Sequence, residues 1–218
     1  MIEVRGLKKS FGTTSERIEI LKDINLFINK GETLALLGKS GSGKSTLLSL
    51  LSGLDRPDEG DIIIDGMNLF KSTEKHLTRF RSSSVGIVFQ QFHLISTLTA
   101  LENILLPLEI NHHTDAFAKA KFLIDAVGLS HRANHLPSEL SGGECQRVAI
   151  ARAMSISPKI IFADEPSGNL DEDTGKQVMD LLFELVQESG STLILVTHDQ
   201  ELAKRCKRIV HLEHGSLV

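Results

Sequence analysis

The sequence predicts an α/β fold with a largely parallel central sheet and a helical lobe inserted into it. Three observations carry that expectation. Short continuous apolar runs, of the length of buried strands, alternate with helical patterns. A glycine-rich loop sits between one such run and a helix. Between about Gln91 and Ser157 strand signals vanish and helical patterns take over.

The elements follow in order. Ile18 to Ile28 alternates apolar and polar residues as a strand does, and Gly31 ends it. Thr33 to Leu37 is a short apolar strand, followed by glycines and a helical pattern over Thr46 to Leu51. Asp61 to Ile64 and Val85 to Phe89 are further strands. Ala100 to Ile110, Asp115 to Val127 and Gly143 to Ser155 read as helices. Lys159 to Ala163 and Thr192 to Thr197 are buried-strand runs flanked by helical segments. The chain finishes with a strand over Arg208 to Leu212, a turn at His214-Gly215 and a short last strand. This organisation makes one domain of 1–218, with an α/β core of 1–90 and 158–218 and a helical subdomain of 91–157.

Composition narrows the function. At 218 residues and 41% apolar content the chain buries a sizeable core. Its net charge of -4 supplies no global basic field, so no nucleic-acid partner is expected. Cys145 and Cys206 are far apart and in no metal-type spacing, which fits reduced thiols of a cytosolic protein. Met1-Ile2-Glu3-Val4-Arg5 is charged from the start and predicts no secretory signal. No apolar run approaches the ~20 residues that span a bilayer. Any membrane role would therefore work from the water side through a partner.

Gly38-Lys39-Ser40-Gly41-Ser42-Gly43-Lys44-Ser45 matches G-x-x-x-x-G-K-[ST] in full, after a buried strand and before a helix that Thr46 enters. Glycines let successive backbone N–H groups turn toward one anion, and the helix start adds partial positive charge at the same point. Lys44 is placed to reach the β- and γ-phosphates of a nucleotide, and the Ser45 hydroxyl to ligate Mg²⁺. Kinases, GTPases and motor ATPases share this loop, so it leaves the reaction open. Ile160-Ile161-Phe162-Ala163-Asp164-Glu165 is an apolar strand ending in two acids, where ligands of an open parallel sheet bind. Asp164 suits the magnesium ion and Glu165 the general base on an attacking water. The alternative is an acidic strand end that caps the following turn.

Leu140-Ser141-Gly142-Gly143-Glu144, followed by Gln146-Arg147-Val148-Ala149-Ile150-Ala151-Arg152-Ala153, resembles the signature motif of the ABC ATPases, and the resemblance covers essentially the whole chain. It implies a P-loop NTPase core of RecA-like type, an N-terminal antiparallel β subdomain and an inserted α-helical subdomain. Ser141, Gly142 and Gly143 open a helix and offer a second anion-binding helix start, while Ser-x-x-Glu with Glu144 is also a capping box. The resemblance implies that two subunits face head to tail. The signature of each then closes over the γ-phosphate held by the other, so that dimerisation follows nucleotide state.

Further positions match the family one by one. Phe11 resembles the aromatic that stacks on adenine, with a core position as its alternative. Gln90, beside Gln91, resembles the glutamine that meets Mg²⁺ and begins the loop into the helical lobe. Gly168-Asn169-Leu170-Asp171 resembles the loop that crosses the dimer interface, with Asp171 its key acid. His198, after a strand, resembles the histidine that contacts the γ-phosphate. Cys145 departs from the charged or polar residue usual at its position, and a bland thiol is expected there.

Pro166 to Asp171, Thr99 to Ile104 and the short C-terminus resemble the lipoprotein-release and macrolide-exporter group. That likeness implies an ATP- and Mg²⁺-dependent homodimer on the cytoplasmic face of a bacterial inner membrane. It would drive a separate integral-membrane permease for export, lipoprotein extraction or mechanotransmission. The permease contact is expected near Gln90 to Leu98, through Phe92, His93, Leu94, Ile95 and Leu98, unless these pack within the lobe. The alternative is an ABC-type ATPase that regulates a cell-envelope or cell-division complex. A DNA-repair role would need a long coiled-coil insertion and a translation role a second cassette, and neither is present. The signature and Glu165 disfavour a small-molecule kinase.

Overall fold

A parallel strand covered on both faces needs an apolar residue at nearly every position, because both sides of its pleat face protein. The computed structural model, which describes residues 1–13 and 16–218, puts the continuous runs in that setting. Every residue of Thr192–Thr197 is buried, as are Leu34 to Leu37 and Ile160 to Ala163.

In chain order the first elements are β1 (Ile2–Thr13), β2 (Glu16–Ile28), β3 (Thr33–Leu37), α1 (Lys44–Leu51), β4 (Glu59–Ile64), β5 (Met67–Asn68) and α2 (Glu74–Ser84). Then come β6 (Val85–Phe89), α3 (Ala100–Ile110), α4 (Ala116–Ala126), α5 (Gly142–Met154), β7 (Ile160–Asp164) and α6 (Glu172–Ser189). The chain closes with β8 (Thr192–Thr197), α7 (Gln200–Ala203), β9 (Arg208–Glu213) and β10 (Ser216–Leu217). They form two compact units, one of Met1–Arg81 with Thr192–Val218 and one of Ser82–Ser191.

The first unit holds an antiparallel sheet of order β2-β1-β4-β5. Its alternation is one-sided: Ile2 pairs with Ile28 and with Ile64, and all three are buried. The same unit holds β3 between β8 and β9, parallel to both. β9 and β10 form a hairpin whose central residues, His214 and Gly215, have φ of 49° and 83°. Positive φ at both is what a two-residue turn between right-twisted strands requires. That turn also meets β2, where the Lys22 amide donates to the Gly215 carbonyl at 2.7 Å.

The second unit pairs β6 and β7 in parallel and adds α3, α4, α5 and α6. α3 starts at Thr99 with a full capping box, Thr99 Oγ1 accepting from the Glu102 amide and Glu102 accepting from the Thr99 amide. Buried Asn103 ties the preceding loop to this helix, accepting from Ile95 N and donating to the carbonyls of Ile95, Leu98 and Thr99. β7 runs one residue later than the apolar run, from Ile160 to Asp164. Lys159 is exposed, and its amide donates to the Ser84 carbonyl just before β6. No helix among the described residues is long and apolar enough to cross a membrane.

Candidate functional site

β3 ends at Leu37 and α1 begins at Lys44, with six residues between them. Gly43 caps the helix at φ 104°, a conformation side chains with a Cβ rarely adopt. A Cβ there would also stand 3.0 Å from Leu21 Cδ2 and 3.2 Å from the Ile20 carbonyl oxygen. Lys44 is buried, and its ammonium donates to the carbonyls of Gly38 at 2.8 Å and Lys39 at 3.1 Å. The loop therefore curls around its own lysine. Among the described residues Ser42 Oγ has no hydrogen-bond partner although it is buried. Ser40, Gly41 and Ser45 are exposed and Thr46 half-buried. The amides of the first turn of α1 have no intrahelical acceptor and point, with the helix dipole, out of its start.

Strand register places His198 in the same unit. β3 and β8 run parallel with Leu37 opposite Thr197. Gly38 and His198 thus leave adjacent strands at the same level, beyond their carboxyl ends. His198 is exposed, and Asp199 after it caps α7 through the amides of Glu201 and Leu202. Phe11 is 49% exposed, which removes the core alternative for it. It pairs across β1–β2 with Ile18, two residues or ~7 Å along the strand from Ile20, which abuts Gly43. The Lys9 ammonium lies 4.9 Å from the Phe11 ring centroid.

In the second unit β6 and β7 end level, with Phe89 opposite Asp164. Gln90 and Glu165 therefore leave neighbouring strand ends side by side. Glu165 has φ 44°, left-handed for a residue with a side chain, and its carbonyl accepts from the Gly168 amide at 2.9 Å. Asp171 caps α6 by accepting from the Thr174 amide at 3.0 Å. That backbone hydrogen bond holds its carboxyl below the ordinary aspartate range. Among the described residues no group of three or more His, Cys, Asp or Glu side chains could hold a metal by itself. At the strand ends of this unit Gln90 and Asp164 carry amide and carboxylate oxygens, the hard donor type that a magnesium ion accepts.

α5 opens at Ser141 with a capping box: Ser141 Oγ accepts from the Glu144 amide at 3.2 Å, and Glu144 accepts from the Ser141 amide at 2.7 Å. This second bond, with Arg132 at 3.2 Å from the same carboxylate, holds Glu144 below its ordinary range. Ser141 and Gly142 are exposed, while Gly143 is buried against Thr174 of α6. Cys145 is buried and its thiol is pushed up by desolvation, which fits a bland packing role.

Three residues of the second unit stand within the motifs quoted from the sequence, which assigned them no role of their own. Gln146 Nε2 donates to the Phe89 carbonyl at 3.3 Å. Arg152 donates to the carbonyls of Phe92 and His93, two consecutive residues with positive φ. Asn169 makes two hydrogen bonds with Gln90. The available signal was polarity in the wrong place: Gln146 and Arg152 stand among the buried apolar residues of α5.

A glycine cradle before a helix and an acid pair ending a parallel strand define the P-loop nucleoside triphosphatase class. Residues 21–168 match the family model described as ABC transporter. An ABC transporter ATP-binding protein of Escherichia coli (strain K12), YbbA, is 48% identical over 219 residues, covering 100% of this chain and 96% of the relative. The lipoprotein-releasing system ATP-binding protein LolD of Geobacter metallireducens is 47% identical, covering 100% and 98%. Among solved structures, the dimeric post-hydrolysis state of the ATP-binding cassette MJ0796 bound to ADP and Pi superposes with a TM-score of 0.92. It is 41% identical and covers 100% of this chain and 96% of that one. The chain belongs to the ABC transporter family and is an ATP-binding, ATP-hydrolysing subunit of it.

Proposed function

We propose that the chain works as a homodimer holding two magnesium-bound ATP molecules between its subunits. Each closure drives a separate integral-membrane permease from the cytoplasmic face of a bacterial inner membrane. The observation that carries this reading is the pair of helix starts: α1, opened by the glycine cradle, and α5, opened by exposed Ser141 and Gly142. Each offers unpaired amides and a positive dipole end to phosphate. The dimeric cassette similar to this chain supports a second copy as the bearer of the opposing helix.

In this reading Gly38 to Thr46 wrap the phosphates, with Lys44 turning from its loop carbonyls to the β- and γ-phosphates. Phe11 stacks on the adenine. Ser45, Gln90 and Asp164 hold the magnesium ion, which neutralises phosphate charge when bound. Glu165 takes the proton of the attacking water, His198 orients the γ-phosphate, and Asp171 meets the partner subunit. Ser141, Gly142, Gly143 and Glu144 close over the nucleotide of the partner. The permease meets the loop from Gln90 to Leu98, where Ile95 is 42% exposed and Leu94 and Leu98 are half-buried. Likeness to the lipoprotein-releasing ATP-binding protein supports export or lipoprotein extraction as the work done, without naming the cargo.

Glu165→Gln tests the core of this. With Mg²⁺ and ATP the variant retains nucleotide and elutes at dimer mass, while wild type returns to monomer after turnover. A variant that hydrolyses at the wild-type rate removes Glu165 from the base role, and one that binds ATP but stays monomeric removes the sandwich. Leu98→Asp tests the partner: the folded variant no longer co-purifies with the membrane permease.

A further inference from the structure

Gln90 is held at both its side chain and its backbone by the loop after β7. Its Nε2 donates to Asn169 Oδ1 at 3.0 Å, and Asn169 Nδ2 donates back to the Gln90 carbonyl at 3.0 Å. The preceding residue completes the grip. A Cβ at Gly168 would stand 2.8 Å from Gln90 Nε2 and 3.2 Å from its Cδ, so the carboxamide takes the space a side chain at 168 would need. Gly168 has no positive φ, so close approach rather than backbone conformation is what calls for glycine here.

A carboxamide has one end that donates and one that accepts, and only the oxygen can ligate a hard cation. Left free, the side chain presents either end. With Nε2 committed to Asn169, the oxygen is the end left to face outward. We propose that Asn169 is a positioning residue: it fixes the orientation of Gln90 so that oxygen, not nitrogen, faces the magnesium-bound nucleotide. The proposal rests on the reading of Gln90 as a magnesium-facing residue. It also links Gln90 to the segment carrying Asp171, two residues beyond Asn169, which that reading assigns to the subunit interface. A shift of this segment on dimer closure would thereby be felt at Gln90.

The test measures Mn²⁺ affinity of the full-length protein loaded with a non-hydrolysable ATP analogue, by electron paramagnetic resonance. ATPase activity is read alongside, and analogue affinity is measured in EDTA as a folding control. Asn169→Ala weakens Mn²⁺ binding ~10-fold, the scale for losing a group that orients a metal ligand, and leaves metal-free analogue affinity unchanged. In a Gln90→Ala background, Asn169→Ala has no further effect on Mn²⁺ affinity. If Gln90→Ala weakens Mn²⁺ binding and Asn169→Ala does not, the positioning role is overturned while the reading of Gln90 survives. If the two losses add independently, Asn169 acts by another route and the proposal is again overturned. If Gln90→Ala itself leaves Mn²⁺ affinity intact, the underlying reading fails and takes the proposal with it.

Discussion

Gly143 lies where two helices of the second unit meet, and its substitution by alanine has a sign that one methyl group decides. A Cβ built on Gly143 falls on Thr174 Cγ2, closer than real Cβ contacts come, while the next atom, Thr174 Cβ, is at an ordinary 3.8 Å. Thr174 is β-branched and its amide is held by Asp171, so its methyl has little room to turn away. Overpacking of this kind costs ~1–3 kcal/mol. Against it, Gly143 has no positive φ, and alanine gains over glycine only part of the ~0.8–1 kcal/mol of a helix interior, because Gly143 is the second residue of α5. The net for Gly143→Ala is a loss of ~1 kcal/mol. At ~2–4 °C per kcal/mol for a chain of this size, the nucleotide-free melting temperature falls by ~3 °C. Thr174→Ser removes the offending methyl and keeps the hydroxyl. Introduced into that background, Gly143→Ala meets nothing nearer than 3.8 Å and raises the melting temperature by ~1–2 °C. Urea midpoints of the four proteins give the same cycle isothermally. If Gly143→Ala shifts stability equally in both backgrounds, packing against Thr174 is not why glycine stands here.

Arg152→Met removes charged hydrogen bonds to the carbonyls of Phe92 and His93, bonds worth ~1.5–3 kcal/mol together with the burial they offset. Amides of Leu94 to Leu98 then exchange with deuterium ~10-fold faster or more, and unchanged protection would show that Arg152 does not hold this loop. Asp171 and Glu144 have folded-state pKa values lowered by backbone donors, so the stability they contribute is present above pH ~4 and lost as pH falls through their folded values. Urea midpoints from pH 6 to 3 should therefore fall less steeply for the Asp171→Asn and Glu144→Gln double variant than for wild type; parallel curves would contradict this. Burial pushes the Cys206 thiol up to about 11 and raises Cys145 as well, so burial disfavours the reactive thiolate at both. Native protein resists a thiol-specific disulfide reagent that labels both residues in urea, and rapid native labelling would refute the assignment of both as inert.

The local chemistry of this protein was legible in one dimension. The cradle from Gly38 to Ser45 needs its residues consecutive, because one turn of backbone and one helix start form it. The strands at Thr33–Leu37, Val85–Phe89 and Thr192–Thr197 announce themselves by unbroken apolar runs, since both faces are covered. The hairpin partner β1 was not resolved by pattern alone. Its register against β2 shifts between Val4 and Leu7, between Leu7 and Lys9 and between Lys9 and Ser10, which breaks the period of two that a strand reading counts on.

What tertiary structure alone decided is which distant residues stand level with one another. No spacing in the sequence says that Leu37 lies opposite Thr197, or Phe89 opposite Asp164; parallel register sets both, and through them the places of His198, Gln90 and Glu165. The seat of Gly143 against Thr174 and the clasp of Asn169 on Gln90 are likewise contacts between segments far apart in the chain. A sequence states its local preferences residue by residue, and a contact across dozens of residues exists only once packing has brought both partners to one place.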